Sequence, residues 1–297
     1  MTDTSQIPRA SAGSVELAYE TFGDPADPPV LLVMGLATQM LGWPDEFCRM
    51  LAGRGLFVVR YDNRDIGLST HLHDAPAPDV MAALSGDTSS ASYTLTDMAS
   101  DAVGLLDALG LTSAHLVGIS MGGMIAQTVA IEHPERVRTL VSIMSTTGDP
   151  SVGGATPEAL GALLAPPATS REEAQDRAVA GYRVIGSPGY PLDEEALRQR
   201  AGLSYDRAHD PAGVGRQLLA ILASPDRTPR LGEVRVPTLV IHGAQDTLVD
   251  VSGGRATADA IPEAELAVLE GMGHDLPQEL WPELVDRIAA HVARVDA

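Results

Sequence analysis

Short apolar runs separated by turn residues recur along the chain, and helical patterns lie between several of them. Runs that are apolar at successive positions are typical of parallel strands covered by helices on both faces. The alternation of strand and helix predicts an α/β fold with an open, doubly wound, mostly parallel sheet. The clearest helical pattern covers residues 95–109. The predicted strands are residues 30–34, 56–61, 115–118, 139–144, 238–242 and 266–269.

The alternation stops between about residues 146 and 233. Turns rich in Gly, Pro and Ala surround helical segments there, without a strand pattern. Strand signals resume at Val236. We therefore predict an α/β core of residues 1–145 and 234–297 and a helical cap insertion of residues 146–233. The cap is expected above the carboxyl ends of the strands, where ligands bind in open α/β sheets.

Composition narrows the possible functions. The net charge of −20 comes from 40 acidic and 20 basic residues, and all the basic residues are Arg. Without Lys, Schiff-base chemistry and a Ser-Lys dyad are excluded. A strongly negative surface disfavours nucleic-acid binding. With no run of about 20 apolar residues, no membrane span is expected and a cytoplasmic location is the default. A homodimer remains open.

The strongest chemical signal is Gly118-Ile119-Ser120-Met121-Gly122, between a predicted strand and a predicted helix. A serine on such a sharp turn is exposed at the positive end of the helix, and small residues two positions away let strand and helix approach closely. This context predicts Ser120 as a catalytic nucleophile. The alternative is a glycine-rich turn in a non-catalytic protein.

A serine hydroxyl needs a base to accept its proton and an acid to orient that base. In this architecture the acid and then the histidine follow the nucleophile in the chain. His274 lies in a glycine-rich loop just after the last strand and is predicted as the base. His242 ends a strand, which favours structural burial. His133 and His291 fall late in helices and are expected to be exposed.

Asp246 is predicted as the acid, because it lies in the turn after the strand at residues 238–242. Asp250 and Asp149 remain as alternatives, whereas Asp275 is adjacent to the base and is expected to point away from it. For the oxyanion hole, the predicted amide donors are Met121, next to the nucleophile, and Leu36, in the loop after the strand at residues 30–34.

Several other residues suggest weaker hypotheses. Gly35 lets the oxyanion-loop backbone turn inward, and Trp43 is predicted either to line the substrate pocket together with Gly35 or to fill core. Cys48 is expected to be a small core residue. His71 and His73 lack further ligands in sequence and are expected to be solvent-exposed, so no metal and no cofactor are predicted.

The nucleophile turn, the Asp246 and His274 loops and the segment Arg60-Tyr-Asp-Asn-Arg-Asp-Ile-Gly-Leu-Ser69 together resemble the α/β-hydrolase superfamily across nearly the whole chain. Leu41-Gly-Trp-Pro-Asp-Glu-Phe47 and Gly271-Met-Gly-His-Asp-Leu-Pro277 are similar to the bacterial branch that includes aclacinomycin methylesterase. Many relatives have His where this chain has Met34.

The sequence therefore predicts a serine esterase that acts through an acyl-enzyme on a medium-sized hydrophobic ester. The resemblance implies a natural-product methyl ester or lactone. The alternatives are a cofactor-free haloperoxidase or perhydrolase, and a catalytically silent ligand-binding protein on the same fold.

Overall fold

One eight-stranded sheet forms the centre of the protein, in the order β1-β2-β4-β3-β5-β6-β7-β8. The structure, a computed structural model, describes residues 6–296. The pairs β1–β2 and β2–β4 are antiparallel, and the other five neighbouring pairs are parallel. The strands are β1 (Arg9–Ala12), β2 (Val15–Phe22), β3 (Pro29–Val33), β4 (Phe57–Tyr61), β5 (Ala114–Ile119), β6 (Val137–Ile143), β7 (Thr238–Gly243) and β8 (Glu265–Leu269).

All six predicted strands are present, and the predicted fold class is confirmed. Strands β1 and β2 were not predicted from the sequence. These strands lie at the antiparallel edge of the sheet, where β2 buries some positions and exposes others, so no continuous apolar run marks it. The continuous apolar run that marks the central strands is therefore absent from this edge.

Two apolar clusters cover the two faces of the sheet. Successive residues of a strand point to opposite faces, so Leu31 and Val33 of β3 join one cluster, and Val30 and Leu32 join the other. Helices α3 (Leu95–Ala108) and α4 (Met121–Glu132) contribute to the first cluster, and α1 (Asp45–Ala52) and α11 (Trp281–Asp296) to the second. The remaining core helices are α2 (Val80–Leu84) and α10 (Val251–Ala260), and short 3₁₀ turns occur at Met40–Gly42, Pro134–Arg136 and Gln278–Leu280.

Five helices and no strand lie between β6 and β7 within the described residues. Four of them begin at a side chain that accepts a backbone N–H three residues on, which explains where they start. We call residues 146–233 the inserted segment. Its helices are α5 (Pro157–Leu163), α6 (Arg171–Ile185), α7 (Glu194–Arg207), α8 (Pro211–Ala223) and α9 (Thr228–Leu231).

Buried ion pairs join the inserted segment to the loop that follows β4. Arg207 of α7 lies 3.0 Å from Asp62, and Arg216 of α8 lies 2.8 Å from Asp65. Because that loop follows the carboxyl end of β4, the inserted segment lies at the carboxyl edge of the sheet. Between residues 6 and 296, none of the helices combines the length and apolar character needed to cross a bilayer.

Candidate active site

Ser120 occupies the turn between β5 and α4 with φ 54° and ψ −119°. A non-glycine residue rarely adopts a positive φ, so the surrounding structure must maintain this conformation. A Cβ placed on Gly118 would lie 2.1 Å from the carbonyl oxygen of Gly122, and one on Gly122 would lie 2.1 Å from that of Val33. The strand and the helix thus approach each other as closely as the sequence predicted.

His274 lies between Ser120 and Asp246. Its Nε2 is 3.1 Å from Ser120 Oγ, and its Nδ1 is 2.7 Å from Asp246 Oδ2. A ring protonated at Nδ1 donates to the carboxylate and leaves Nε2 free to accept the hydroxyl proton. Ser120 is partly exposed, whereas His274 and Asp246 are buried. The structure brings these residues, predicted from distant parts of the chain, into one hydrogen-bonded chain.

Both oxygens of Asp246 are occupied. Oδ1 accepts the backbone N–H groups of Leu248 at 2.9 Å and Val249 at 2.8 Å, and Oδ2 faces His274. The turn after β7 and the His274 ring therefore fix the orientation of the Asp246 carboxylate.

The competing aspartates lie elsewhere. Each accepts a hydrogen bond from a serine: Asp149 from Ser151, Asp250 from Ser252, and Asp275 from Ser187. Among the described residues, none of these three carboxylates is in hydrogen-bond contact with the His274 ring. Hydrogen bonds lower the pKa of the Asp149 and Asp250 carboxyls, whereas burial raises the pKa of the Asp275 carboxyl.

His242 lies beside the same acid. It is fully buried, its Nε2 is 2.8 Å from the carbonyl oxygen of Val249, and the same nitrogen is 3.5 Å from Asp246 Oδ2. Burial lowers the pKa of His242. The expected structural burial is therefore confirmed, and its position against the acid turn is a feature that the sequence analysis missed.

The loop that carries His274 is bonded to the inserted segment. The backbone N–H of His274 donates to the carbonyl of Ile185 at 2.7 Å, and that of Gly273 donates to Ser187 Oγ at 2.9 Å. A Cβ on Gly273 would lie 2.3 Å from the carbonyl oxygen of Gly186. The glycine permits this close approach of two backbones, which fixes the loop that carries His274.

The predicted oxyanion loop also reaches Ser120. A Cβ on Gly35 would lie 3.2 Å from Ser120 Cβ and 3.7 Å from its Oγ, so the backbone of Gly35 lies directly beside the serine. Leu36 follows it and is half-buried, and Met121 is the first residue of α4. The N–H groups of a first helical turn have no acceptor within the helix, which leaves that of Met121 available.

We call residues 34–40, which carry the predicted oxyanion donor Leu36, the oxyanion loop. Three side chains that were not predicted from the sequence hold it. Asn63 Nδ2 donates to the carbonyl of Met34 at 2.9 Å, and Asp62 Oδ1 accepts the N–H of Met40 at 2.7 Å. The third is Gln217 of α8, described below. Asp62 and Asn63 lie in the segment that carries the family resemblance, so a signal was present; for Gln217 there was none.

Trp43 was predicted either to line the pocket or to fill core. The side chain has no exposed surface, and its ring packs on Phe47 with 5.6 Å between centroids. The buried core alternative is therefore the one the structure supports. Cys48 is buried as expected, and burial raises the pKa of its thiol to about 12.

His71 and His73 lie near the start of α8. His73 is exposed as expected, but His71 is mostly covered, with Nδ1 2.8 Å from Asp210 Oδ2 and Nε2 3.0 Å from the carbonyl of Gly67. Potential metal-ligand atoms of His71, His73 and Asp210 lie within 4.8 Å of one another. Asp210 already caps α8 and pairs with Arg216, so its oxygens serve the docking of that helix.

A pocket of about 710 Å³ adjoins the acid turn on the side of the inserted segment. Its wall includes Tyr182, Tyr190, Leu192 and Thr247. Ser120 and His274 are not part of that wall. The pocket therefore lies beside the acid and not over the serine hydroxyl.

Comparison with known proteins places the chain in a family. The model of the family described as alpha/beta hydrolase fold matches residues 28–278. The chain therefore belongs to the alpha/beta hydrolase fold family. The rhodomycin D methylesterase DauP of Streptomyces sp. (strain C5) is 33% identical over 298 residues, covering 93% of this chain and 95% of that protein. The predicted resemblance to the methylesterase branch is thereby confirmed.

More distant relatives share the same architecture. The 3-oxoadipate enol-lactonase 2 of Acinetobacter baylyi is 28% identical, over 88% of this chain and 87% of that protein. The solved structure of the enol-lactonase from Burkholderia xenovorans LB400 superposes with a TM-score of 0.74 and 24% identity, covering 96% of this chain and 100% of that chain. This structural likeness confirms the fold.

Proposed function

We propose that this protein is a serine carboxylic-ester hydrolase that forms an acyl-enzyme on Ser120. The observation that carries the proposal is the hydrogen-bonded chain from Ser120 Oγ through the His274 ring to Asp246. A hydroxyl within 3.1 Å of an imidazole nitrogen can lose its proton to that nitrogen as it attacks a carbonyl carbon.

In the proposed first half-reaction, Ser120 Oγ bonds to the ester carbonyl carbon while His274 Nε2 takes the hydroxyl proton. The tetrahedral oxyanion is stabilised by the N–H groups of Leu36 and Met121. Asp246 stabilises the imidazolium without taking its proton. The C–O bond of the ester then breaks, and His274 returns the proton to the leaving alcohol.

In the second half-reaction, water attacks the acyl-enzyme in the same way. His274 takes a proton from the water as its oxygen bonds to the acyl carbon, and the bond to Ser120 Oγ breaks as that oxygen regains a proton. The products are the carboxylic acid and free enzyme. In this proposal, residues of this chain and one water molecule carry both half-reactions.

The proposed substrate is a medium-sized hydrophobic ester, a natural-product methyl ester or lactone. This choice of substrate is supported by the sequence similarity of the chain to a methylesterase and to an enol-lactonase. The inserted segment, residues 146–233, is proposed to act as a cap that covers the substrate. The hydrogen bonds from the inserted segment to the loops that carry Ala37 and His274 support this role. The same relatives do not support the haloperoxidase, perhydrolase or silent-receptor alternatives.

The test compares the native chain with Ser120→Ala on p-nitrophenyl esters of graded acyl length. Ser151→Ala, which changes an exposed serine, is the matched control. We expect a burst of nitrophenol in the native and control proteins and a fall in kcat by about 10⁴–10⁶ in Ser120→Ala. Equal rates in all three proteins, or no turnover by the native chain, would overturn the proposal.

A further inference from the structure

Gln217 joins helix α8 to the oxyanion loop. Its Oε1 accepts the backbone N–H of Ala37 at 3.1 Å, and its Nε2 donates to the carbonyl of Arg64 at 2.8 Å. The side chain has no exposed surface. Because one end faces a donor and the other an acceptor, the orientation of the amide is fixed.

Ala37 is the residue that needs such support. It has φ 60°, in the left-handed region that residues with a Cβ seldom occupy. It directly follows Leu36, the proposed oxyanion donor. The N–H that Gln217 holds lies in the peptide between Leu36 and Ala37. A rotation of that peptide is passed through the Cα of Leu36 to the peptide between Gly35 and Leu36, whose N–H has to point at the developing negative charge.

Helix α8 is itself firmly placed. Arg216, the neighbour of Gln217, donates from Nε and from a terminal nitrogen to the two oxygens of Asp65, each at 2.8 Å. Both side chains are buried. A planar, two-pronged pair of this kind constrains both distance and direction. The amide of Gln217 is therefore presented to Ala37 from a fixed support.

We propose that Gln217 is a positioning residue that keeps the Leu36 N–H in the oxyanion hole. The inference rests on the proposed esterase function and extends it, because it gives the inserted segment a part in transition-state stabilisation as well as in covering substrate. Gln217 touches no reacting atom, so it acts only through Ala37 and Leu36.

Gln217→Met tests the proposal, because Met has a similar length but offers Ala37 only a weak acceptor. With p-nitrophenyl butyrate we expect kcat to fall by about 10- to 100-fold while KM stays within about twofold, since the lost contact matters most in the transition state. Hexyl trifluoromethyl ketone, which forms a tetrahedral adduct with an active serine, is expected to lose affinity by the same factor. Gln217→Asn, whose amide falls short of Ala37, serves if the Met variant does not fold.

Gln217→Glu supplies a readout that a merely structural role would not move. Its protonated carboxyl can accept from Ala37 and donate to Arg64, whereas its ionised form repels the Arg64 carbonyl. We expect the ratio of its kcat to the native kcat to fall as pH rises, because burial favours the protonated carboxyl and the ionised form is the one that repels the Arg64 carbonyl.

The matched control is Ser224→Ala, which removes a different hydrogen bond between the end of α8 and the core, from the N–H of Leu95 at 2.9 Å. It is expected to lower thermal stability without changing kcat or the affinity for the ketone. Native-like kcat in folded Gln217→Met or Gln217→Asn would overturn the inference, as would equal losses in Ser224→Ala. If the native chain itself shows no Ser120-dependent turnover, the proposed function fails instead.

Discussion

His242 lies against the carboxylate of Asp246, with 3.5 Å between Nε2 and Oδ2. The same nitrogen is 2.8 Å from the carbonyl oxygen of Val249, and a carbonyl only accepts, so Nε2 carries the proton. The N–H of Val249 in turn donates to Asp246. His242 thus fastens the turn that holds the acid, although it belongs to β7 itself.

Replacing His242 by Leu removes this donor and leaves the buried Val249 carbonyl unpaired. We expect the free energy of unfolding to fall by about 1–3 kcal/mol, which thermal or urea unfolding measures directly. His242→Gln is the control, because its side-chain N–H₂ takes nearly the place of Nε2. A Gln variant as unstable as the Leu variant would show that the hydrogen bond is not what holds the turn.

The choice of Asp246 over Asp250 as the catalytic acid leads to opposite expectations for two equivalent substitutions. Asp246→Asn is expected to lower kcat by about 10³–10⁴, because the amide no longer stabilises the imidazolium or selects its tautomer. Asp250→Asn changes the N-cap of α10, four residues away, and is expected to leave kcat within about twofold. Steady-state kinetics on one p-nitrophenyl ester decides between them, and the reverse ranking would reassign the acid.

Much of the site could be predicted because its signals are local. Gly118 and Gly122 are required by the steric contact of strand, nucleophile and helix, which a short sequence displays. Asp246 and His274 each follow a strand closely, so the common edge of the parallel strands was enough to expect them near Ser120. The apolar runs of the central strands were equally local.

The remainder depends on contacts between distant parts of the chain. Gln217 bonds to Ala37 across 180 positions, and nothing in the composition of α8 marks it. His291 was expected to be exposed at a helix end, yet it is buried, and its ring contacts the carbonyl of Pro237 just before β7. Trp43 was ambiguous, since an aromatic residue after an oxyanion loop suits a pocket or a core equally well.

The tight elbow predicts contrasting effects of two Gly→Ala substitutions. A Cβ on Gly122 would lie 2.1 Å from the backbone oxygen of Val33, which cannot move aside without distorting β3. We expect Gly122→Ala to lose about 3 kcal/mol of stability or more. Gly181, inside α6, has open space around its Cα, and Gly181→Ala is expected to gain about 0.5–1 kcal/mol. Denaturant unfolding of both variants tests the pair, and a Gly122→Ala protein of native stability would contradict the packing described here.

Buried histidines make the stability of the fold depend on pH. Burial lowers the pKa of His115, His242 and His291 below the ordinary value of 6.5. Between that value and the lower folded pKa, the unfolded chain binds protons that the folded chain does not. Stability is therefore expected to fall as pH drops below about 6.5, by at most about 1.4 kcal/mol per pH unit for each such histidine.

His291 isolates one part of this dependence. Its ring is buried, with Nε2 3.1 Å from the Pro237 carbonyl, and His291→Gln keeps a donor there while removing the titrating group. Urea unfolding between about pH 5 and 7.5 should then show a shallower loss of stability than the native protein, because one proton fewer distinguishes the unfolded from the folded chain. His73→Gln, at a side chain that is 76% exposed, should leave the native slope in place. Equal slopes for both variants would mean that His291 titrates alike in the folded and unfolded chains, and would remove it as a cause of acid sensitivity.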